Sequence, residues 1–271
     1  MSNAPFSCAD APYLNDNESA MTIRCLFTAF VLMIIIGLGA CTASNPQAVN
    51  ESGIYDPYEN TNRRIHTFNR SFDRAVFRPV SKGYAAVMPD AAETAIANFA
   101  ANASMPAVMV NGLLQADLST SALAGSRFFV NTAFGFGGLL NVSKALDIPE
   151  VRSDFGETLY VWGAAEGAYI ELPILGPSTE RDTAGKVVDL FTNPLGFVLD
   201  KPERYYRTIT AAGKGLSERN RLSDMIDAIL YESADSYSQA RITYLQRRRF
   251  QLAPSNSIAE IDPFELNTEG F

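Results

Sequence analysis

The sequence predicts an all-α fold, a single domain of short amphipathic helices set between an N-terminal address and an acidic C-terminal tail. Three observations carry that expectation. Apolar residues recur at helical spacing, as in Ile65, Phe68, Phe72 and Val76. Capping residues precede the periodic stretches, as at Asp56-Pro57, Asp117 and Gly176-Pro-Ser-Thr179. Only Tyr169–Leu175 reads as extended.

The elements follow in order. Asp56 is expected to cap a first helix that Pro79 closes, with Asn62 and Asn69 seven residues apart on one stripe. A second helix starts after Pro89, where Asp90-Ala-Ala-Glu93 resembles a capping box. Pro106 is expected to interrupt it, so that Ser104-Met-Pro106 restarts a helix through Leu114. Asp117 opens the next helix, which runs through Arg127-Phe-Phe-Val-Asn-Thr132. Phe134-Gly-Phe-Gly-Gly138 cannot be helix interior, because each glycine there costs about 1 kcal/mol, and it reads as a turn between apolar arms. A short helix covers Ser153–Trp162 and ends at Gly163; another runs through Val188 and Leu190. Three helical stretches follow, at roughly 201–212, 219–231 and 233–250. No internal repeat is visible.

One stretch departs from this ordinary pattern. The 53 residues from Thr94 to Leu146 carry three charges, Asp117, Arg127 and Lys144, where the rest of the chain after Cys41 carries about one in four. A soluble helical domain places charge on its outer faces. A spanning helix would be about 20 apolar residues without so many amides, and this stretch contains Asn98, Asn102, Asn111, Asn131 and Asn141. Short helices lying in one leaflet, apolar sides in lipid and amides turned to an internal polar space, account for both features. A buried soluble core and a transmembrane helical pair are the competing readings. Asn98 and Asn102, four apart, share a helix face that suits such a polar lining.

Composition narrows the function classes. The net charge of −8 speaks against nucleic acid as a partner. Cys8, Cys25 and Cys41 all precede the body, so no disulfide staples it, and neither a Cys-x-x-Cys nor a Cys/His metal pattern occurs. A hydrolase would have to use the one histidine, His66, and no Gly-x-Ser-x-Gly elbow is present. Phosphate-loop spacings are likewise missing. Neither an enzyme nor a cofactor is expected.

The N-terminus reads as an address. Arg24, a short apolar run and Leu38-Gly-Ala-Cys41 make a signal peptide over 1–40, with Met21 taken as the true start because 1–20 contribute no positive charge. The ending resembles a bacterial lipobox, which makes Cys41 the lipidated residue and 41–54 a polar tether. Two or more acyl chains, at about 0.8 kcal/mol per buried CH₂, give stable anchoring where one does not. Thr42, in place of the Asp that favours inner-membrane retention in such lipoproteins, points to the outer membrane. The tail, 253–271, is acidic and mobile in expectation.

Taken together, these residues resemble the MlaA/VacJ family of phospholipid-transporting outer-membrane lipoproteins, over 55–252. The resemblance rests on Asp56-Pro57, Asn62-Arg63 and Phe68-Asn69, with Arg78-Pro79-Val80 after them. It continues at Pro106-Ala-Val-Met-Val-Asn111, Arg127-Phe-Phe-Val-Asn-Thr132, Gly135 with Gly137-Gly138, Phe155-Gly-Glu-Thr-Leu159, Leu172-Pro173, Gly176-Pro-Ser178 and Arg181-Asp182. Thr61 departs from it, standing where the family has Phe. The resemblance implies an all-helical ring in the inner leaflet of a Gram-negative outer membrane, around an amphipathic channel. Phospholipids misplaced in the outer leaflet would pass through it to a soluble periplasmic carrier, with a porin trimer as membrane partner. Asn98, Asn102, Asn111 and Asn131 are then candidates for the polar lining, and Phe134, Gly135, Phe136, Gly137 and Gly138 for a gating turn. A porin-associated lipoprotein without a lipid path and a phospholipid-modifying enzyme are the rival expectations.

Overall fold

A computed structural model describes residues 54–195 and 203–253. The signal stretch, Cys41, the tether to residue 53 and the tail from residue 254 lie outside them. The described residues are mostly helical, as expected, with one small β-hairpin.

The first helix does not end at Pro79. Helix α1 (Glu59–Phe72) continues through a π-helical turn (Asp73–Phe77) into α2 (Arg78–Val87). The π turn widens the ladder, with the Arg78 N–H on the Asp73 carbonyl. Pro79 therefore falls in the first turn of a new α segment, where its missing N–H costs least. Asp56 does not cap α1 either, because its carboxylate is committed to partners described below. Helix α3 (Asp90–Leu114) likewise runs straight through Pro106 instead of restarting there. Packing of α3 along α4 (Leu118–Phe134) overrides a local penalty of about 3 kcal/mol. The two helices fold back on each other through Gln115–Asp117, and Asp117 caps α4 as expected, accepting from Thr120 N at 3.0 Å. They approach closely where Gly112 meets Ser121: a Cβ at Gly112 would sit 2.9 Å from the Ser121 nitrogen.

Helix α5 is one turn (Val142–Ala145), and α6 (Phe155–Val161) is capped by Asp154. Strands β1 (Tyr169–Leu172) and β2 (Gly176–Thr179) pair antiparallel, with Tyr169 opposite Thr179 and Leu172 opposite Gly176. Thr179 both ends β2 and caps α7 (Glu180–Thr192), accepting from Asp182 N. After α8 (Glu203–Arg221) come α9 (Ser223–Asp227), a second π turn (Ala228–Glu232) and α10 (Ser236–Leu252), which Asp235 caps.

The interior is unusually polar, and part of the exterior is apolar. Among the described residues eleven apolar side chains are buried against twenty-two polar or charged ones, while twenty-eight large apolar side chains are exposed. Scattered exposed apolar residues need no explanation, but a polar interior under an apolar exterior does. Helix α4 shows the pattern most plainly. Its buried stripe is Ser121, Ala124, Arg127 and Asn131, and its exposed residues include Leu118, Phe129 and Phe134. Dry core survives in two small clusters, Ile54 with Tyr169, Tyr237 and Leu245, and Met105 with Val108 and Ala124. Among the described residues no helix is long and apolar enough to cross a membrane.

Candidate functional site

The asparagine stripe of α1 does the work of a third strand. Asn62 donates to the Tyr169 carbonyl (3.0 Å) and accepts from Glu171 N (3.0 Å); Asn69 donates to the Leu172 carbonyl (2.9 Å) and accepts from Ile174 N (2.7 Å). The side chains thus satisfy backbone groups along the open edge of β1. Asn62 also donates to Asp56 (2.9 Å), whose buried carboxylate takes Arg241 (2.5 Å) and the Tyr237 hydroxyl. Pro57 precedes the helix, and Arg63 pairs with Glu59 and Asp235 while covering the Tyr237 ring.

Two further ion networks were not legible in the sequence. Asp73 receives Arg219 through two nitrogens (2.8 and 2.7 Å) and the Tyr231 hydroxyl; Asp227 joins Arg219 to Arg78. Asp182 receives Tyr244 and Arg248, and Arg248 reaches on to Asp154. Arg248, between the exposed Arg247 and Arg249, is therefore a half-buried hub; Arg249 pairs with Glu166. Arg181 packs its guanidinium over Tyr160, 5.2 Å from the ring centroid.

These networks fix the sign of the acid response. Burial pushes Asp73, Asp154 and Asp227 up, but hydrogen bonds from Arg219, Arg248 and their neighbours outweigh it and hold all three below the usual carboxylate range. Their stabilisation is complete above the unfolded value of about 3.9 and is lost as pH falls through the depressed folded values. Burial raises Asp189 and Glu157 instead, so their protonation favours the folded state at somewhat higher pH. Urea midpoints are expected to hold or rise slightly on acidification towards pH 4, then drop steeply below it. A midpoint that stays flat to pH 2 contradicts this assignment.

Around the charge-poor hairpin, the structure places the four candidate asparagines at helix contacts. Asn98 donates to the Leu139 carbonyl (3.1 Å) and Asn102 to Thr132 Oγ1 (3.0 Å). Asn111 accepts from Thr158 (3.0 Å) and donates to Asp189, while Asn131 accepts from Ser143 N (2.9 Å). Arg127 satisfies the Ile148 and Pro149 carbonyls. Asn98 and Asn102 do share a face, and that face holds the glycine turn. A Cβ on Gly138 (φ +102°) would strike the Asn102 side chain.

The glycines of the turn differ in kind. A Cβ on Gly135 would lie 2.3 Å from the Leu140 oxygen and 2.4 Å from the Asn131 oxygen, whereas Gly137 (φ +73°) faces open space. Gly135→Ala is expected to cost about 2–3 kcal/mol through overpacking, and Gly137→Ala about 1–2 kcal/mol through its left-handed backbone alone. Thermal melts of the two variants rank them; equal losses would contradict the packing argument. Phe136 itself has φ +53° and is 78% exposed, so the turn holds an aromatic ring out to the surroundings. Twelve of the twenty-eight exposed apolar side chains fall between Leu113 and Trp162, so the apolar exterior is concentrated on this hairpin and its flanks.

His66, the one histidine a hydrolase could use, is buried. Its Nε2 lies 3.1 Å from Ser236 Oγ and its Nδ1 3.4 Å from Glu171. The order resembles a serine triad, but Glu171 also binds Asn69 and the Tyr169 hydroxyl. The adjoining cavity is lined by His66 and Glu171 and not by Ser236. The hydroxyl is a link in the packing of α10 against α1, not a group presented to a substrate.

Comparison with known proteins agrees with this architecture. The family model described as MlaA lipoprotein matches residues 54–251. The intermembrane phospholipid transport system lipoprotein MlaA of Escherichia coli K12 is 32% identical over 234 residues, covering 85% of this chain and 89% of that protein. The protein of that name from Haemophilus influenzae is 30% identical, covering 86% and 92%. An uncharacterized protein of Rickettsia felis is 32% identical over 71% of this chain and 77% of its own. A solved structure from work on the structural basis for maintenance of bacterial outer membrane lipid asymmetry aligns with a TM-score of 0.64 at 30% identity, covering 73% of this chain and 99% of that one. The chain belongs to the MlaA lipoprotein family.

Proposed function

We propose that this protein is a phospholipid-transporting lipoprotein of the Gram-negative outer membrane, anchored through Cys41 to the inner leaflet. It takes up phospholipid misplaced in the outer leaflet and hands it to a soluble periplasmic carrier, so maintaining lipid asymmetry. A porin trimer is its membrane partner. The observation that carries this reading is the polar interior beneath a partly apolar exterior. Apolar side chains such as Leu118, Phe129, Phe134 and Phe136 are exposed where lipid tails would meet them, while the opposite side of α4 is polar. A headgroup crossing a leaflet needs a polar wall, and acyl chains need an apolar one.

In this reading the short helices form a ring around an amphipathic channel. Asn98, Asn102, Asn111 and Asn131 belong to its polar side, and Asn102 Oδ1 is buried without a partner among the described residues. Phe134–Gly138 is the turn that positions or gates the hairpin. Relatives carry the name of a transport lipoprotein and not of an enzyme, and the sequence offers no nucleotide site, so the protein supplies a path and not a driving force. Photo-crosslinkers placed at Asn98, Asn131 and Phe136 test the reading. Phospholipid adducts at all three are expected. A lipoprotein that serves only as a porin companion would give adducts at the outward Phe136 and none at Asn131.

A further inference from the structure

A cavity of about 350 Å³ lies between α1, the hairpin tip and the α9–α10 region. Its walls include Phe72, Phe77, Ile226 and Leu230. At its mouth stand Ile174 and Leu175, 64% and 69% exposed. Ile174 is β-branched and held at φ +67°, a strained conformation for such a residue. Asn69 fixes it there by accepting its N–H. The strain keeps an apolar lip at an apolar opening.

The polar side of the same cavity carries both signs, Arg70 and Arg219 beside Asp73 and Glu171. Arg70 and Arg219 line it, and Arg70, Arg74 and Arg78 gather over the Tyr231 ring at 5.8, 4.7 and 5.5 Å. Four guanidiniums here face three carboxylates, Asp73, Asp227 and Glu171. All three carboxylates already accept hydrogen bonds. Arg219 is 4% exposed, and its Nη1 has no partner among the described residues although Nε and Nη2 are both engaged. That nitrogen is closed off even from the cavity, so Arg70 is the guanidinium a ligand there would meet.

We propose that this cavity takes part of one phospholipid, a stretch of acyl chain against Phe72, Phe77 and Leu230 and the phosphate at Arg70, with the rest of the lipid outside past Ile174 and Leu175. The shared chemistry is a phosphate oxyanion, and the apolar walls assign it to a lipid and not to free phosphate. The proposal rests on the phospholipid reading above and adds to it a resting place away from the charge-poor hairpin.

The test uses the full acylated protein in detergent, mixed with vesicles of phosphatidylglycerol carrying a diazirine in one acyl chain. Mass spectrometry then locates the label. Label on the Phe72–Phe77 and Ile226–Leu230 segments is expected. Arg70→Gln should lower it about tenfold, the loss expected for one charge-assisted hydrogen bond. Ala240→Phe, which fills the cavity without touching a charge, should lower it as much, with both melting temperatures preserved; if that variant does not fold, Arg70→Gln alone decides. Unchanged labelling in the variants would overturn the proposal, as would displacement of the lipid by millimolar inorganic phosphate. Label confined to the Leu113–Trp162 surface would overturn this site and leave the transport reading standing. No label anywhere would contradict both.

Discussion

Asp56→Ala is expected to destabilise the folded domain by about 3–5 kcal/mol, the cost of leaving a buried ion-pair partner unmatched. The side chain of Asp56 is fully buried and serves Arg241, Tyr237 and Asn62 at once. Removing it leaves the Arg241 guanidinium, only 5% exposed and with its Nε unpartnered among the described residues, with the more distant Glu59 at 3.8 Å as its remaining carboxylate. It also unties the start of α1 from α10 and, through Asn62, from the hairpin. For a domain of this size that loss lowers the melting temperature on the order of 10 °C. Pairing Asp56→Leu with Arg241→Met should recover much of the stability, because the desolvation cost of both charges disappears together. Additive losses in the double variant would show that the pair is not a unit.

The second large effect concerns lipid. Phe134 and Phe136 are 66% and 78% exposed at the glycine turn, with Leu139 and Leu140 beside them. Burying a Phe side chain in an apolar medium contributes about 1.5–3 kcal/mol. Phe134→Asp with Phe136→Asp therefore removes about 3 kcal/mol or more, and vesicle affinity should fall at least about a hundredfold. Flotation of the unacylated chain with vesicles is the measurement, since the anchor proposed at Cys41 would otherwise mask the loss. Both side chains lie outside the packed interior, so urea stability should change little. Vesicle binding that survives the double substitution would remove the leaflet-facing role of this turn.

Local signals were read correctly where the chemistry is local. Asp117 and Thr179 cap their helices, and the glycine cluster turns the chain after Phe134. The Asn62/Asn69 stripe points at one neighbour, because seven residues are two helical turns. Pro79 and Pro106 do not break their helices, for a tertiary reason: a π turn absorbs the first and packing against α4 tolerates the second. The ion networks were out of reach because their partners are distant in sequence, Asp73 and Arg219 being 146 residues apart. Periodicity also gives the faces of a helix without saying which one turns inward. In α4 it is the polar one, so Phe129 and Phe134 are exposed. What betrayed this in the sequence was the scarcity of charge between Thr94 and Leu146, the region that carries much of the apolar exterior.

The most direct test of phospholipid transport is the amount of phospholipid in the outer leaflet of cells lacking this protein. It is measured by labelling of surface-exposed headgroups, with wild type and the Phe134→Asp/Phe136→Asp form supplied back. Surface phospholipid is expected to rise on deletion, to return to its normal level with wild type, and to stay high with the double variant at equal protein abundance. A deletion that leaves surface phospholipid unchanged would contradict the account.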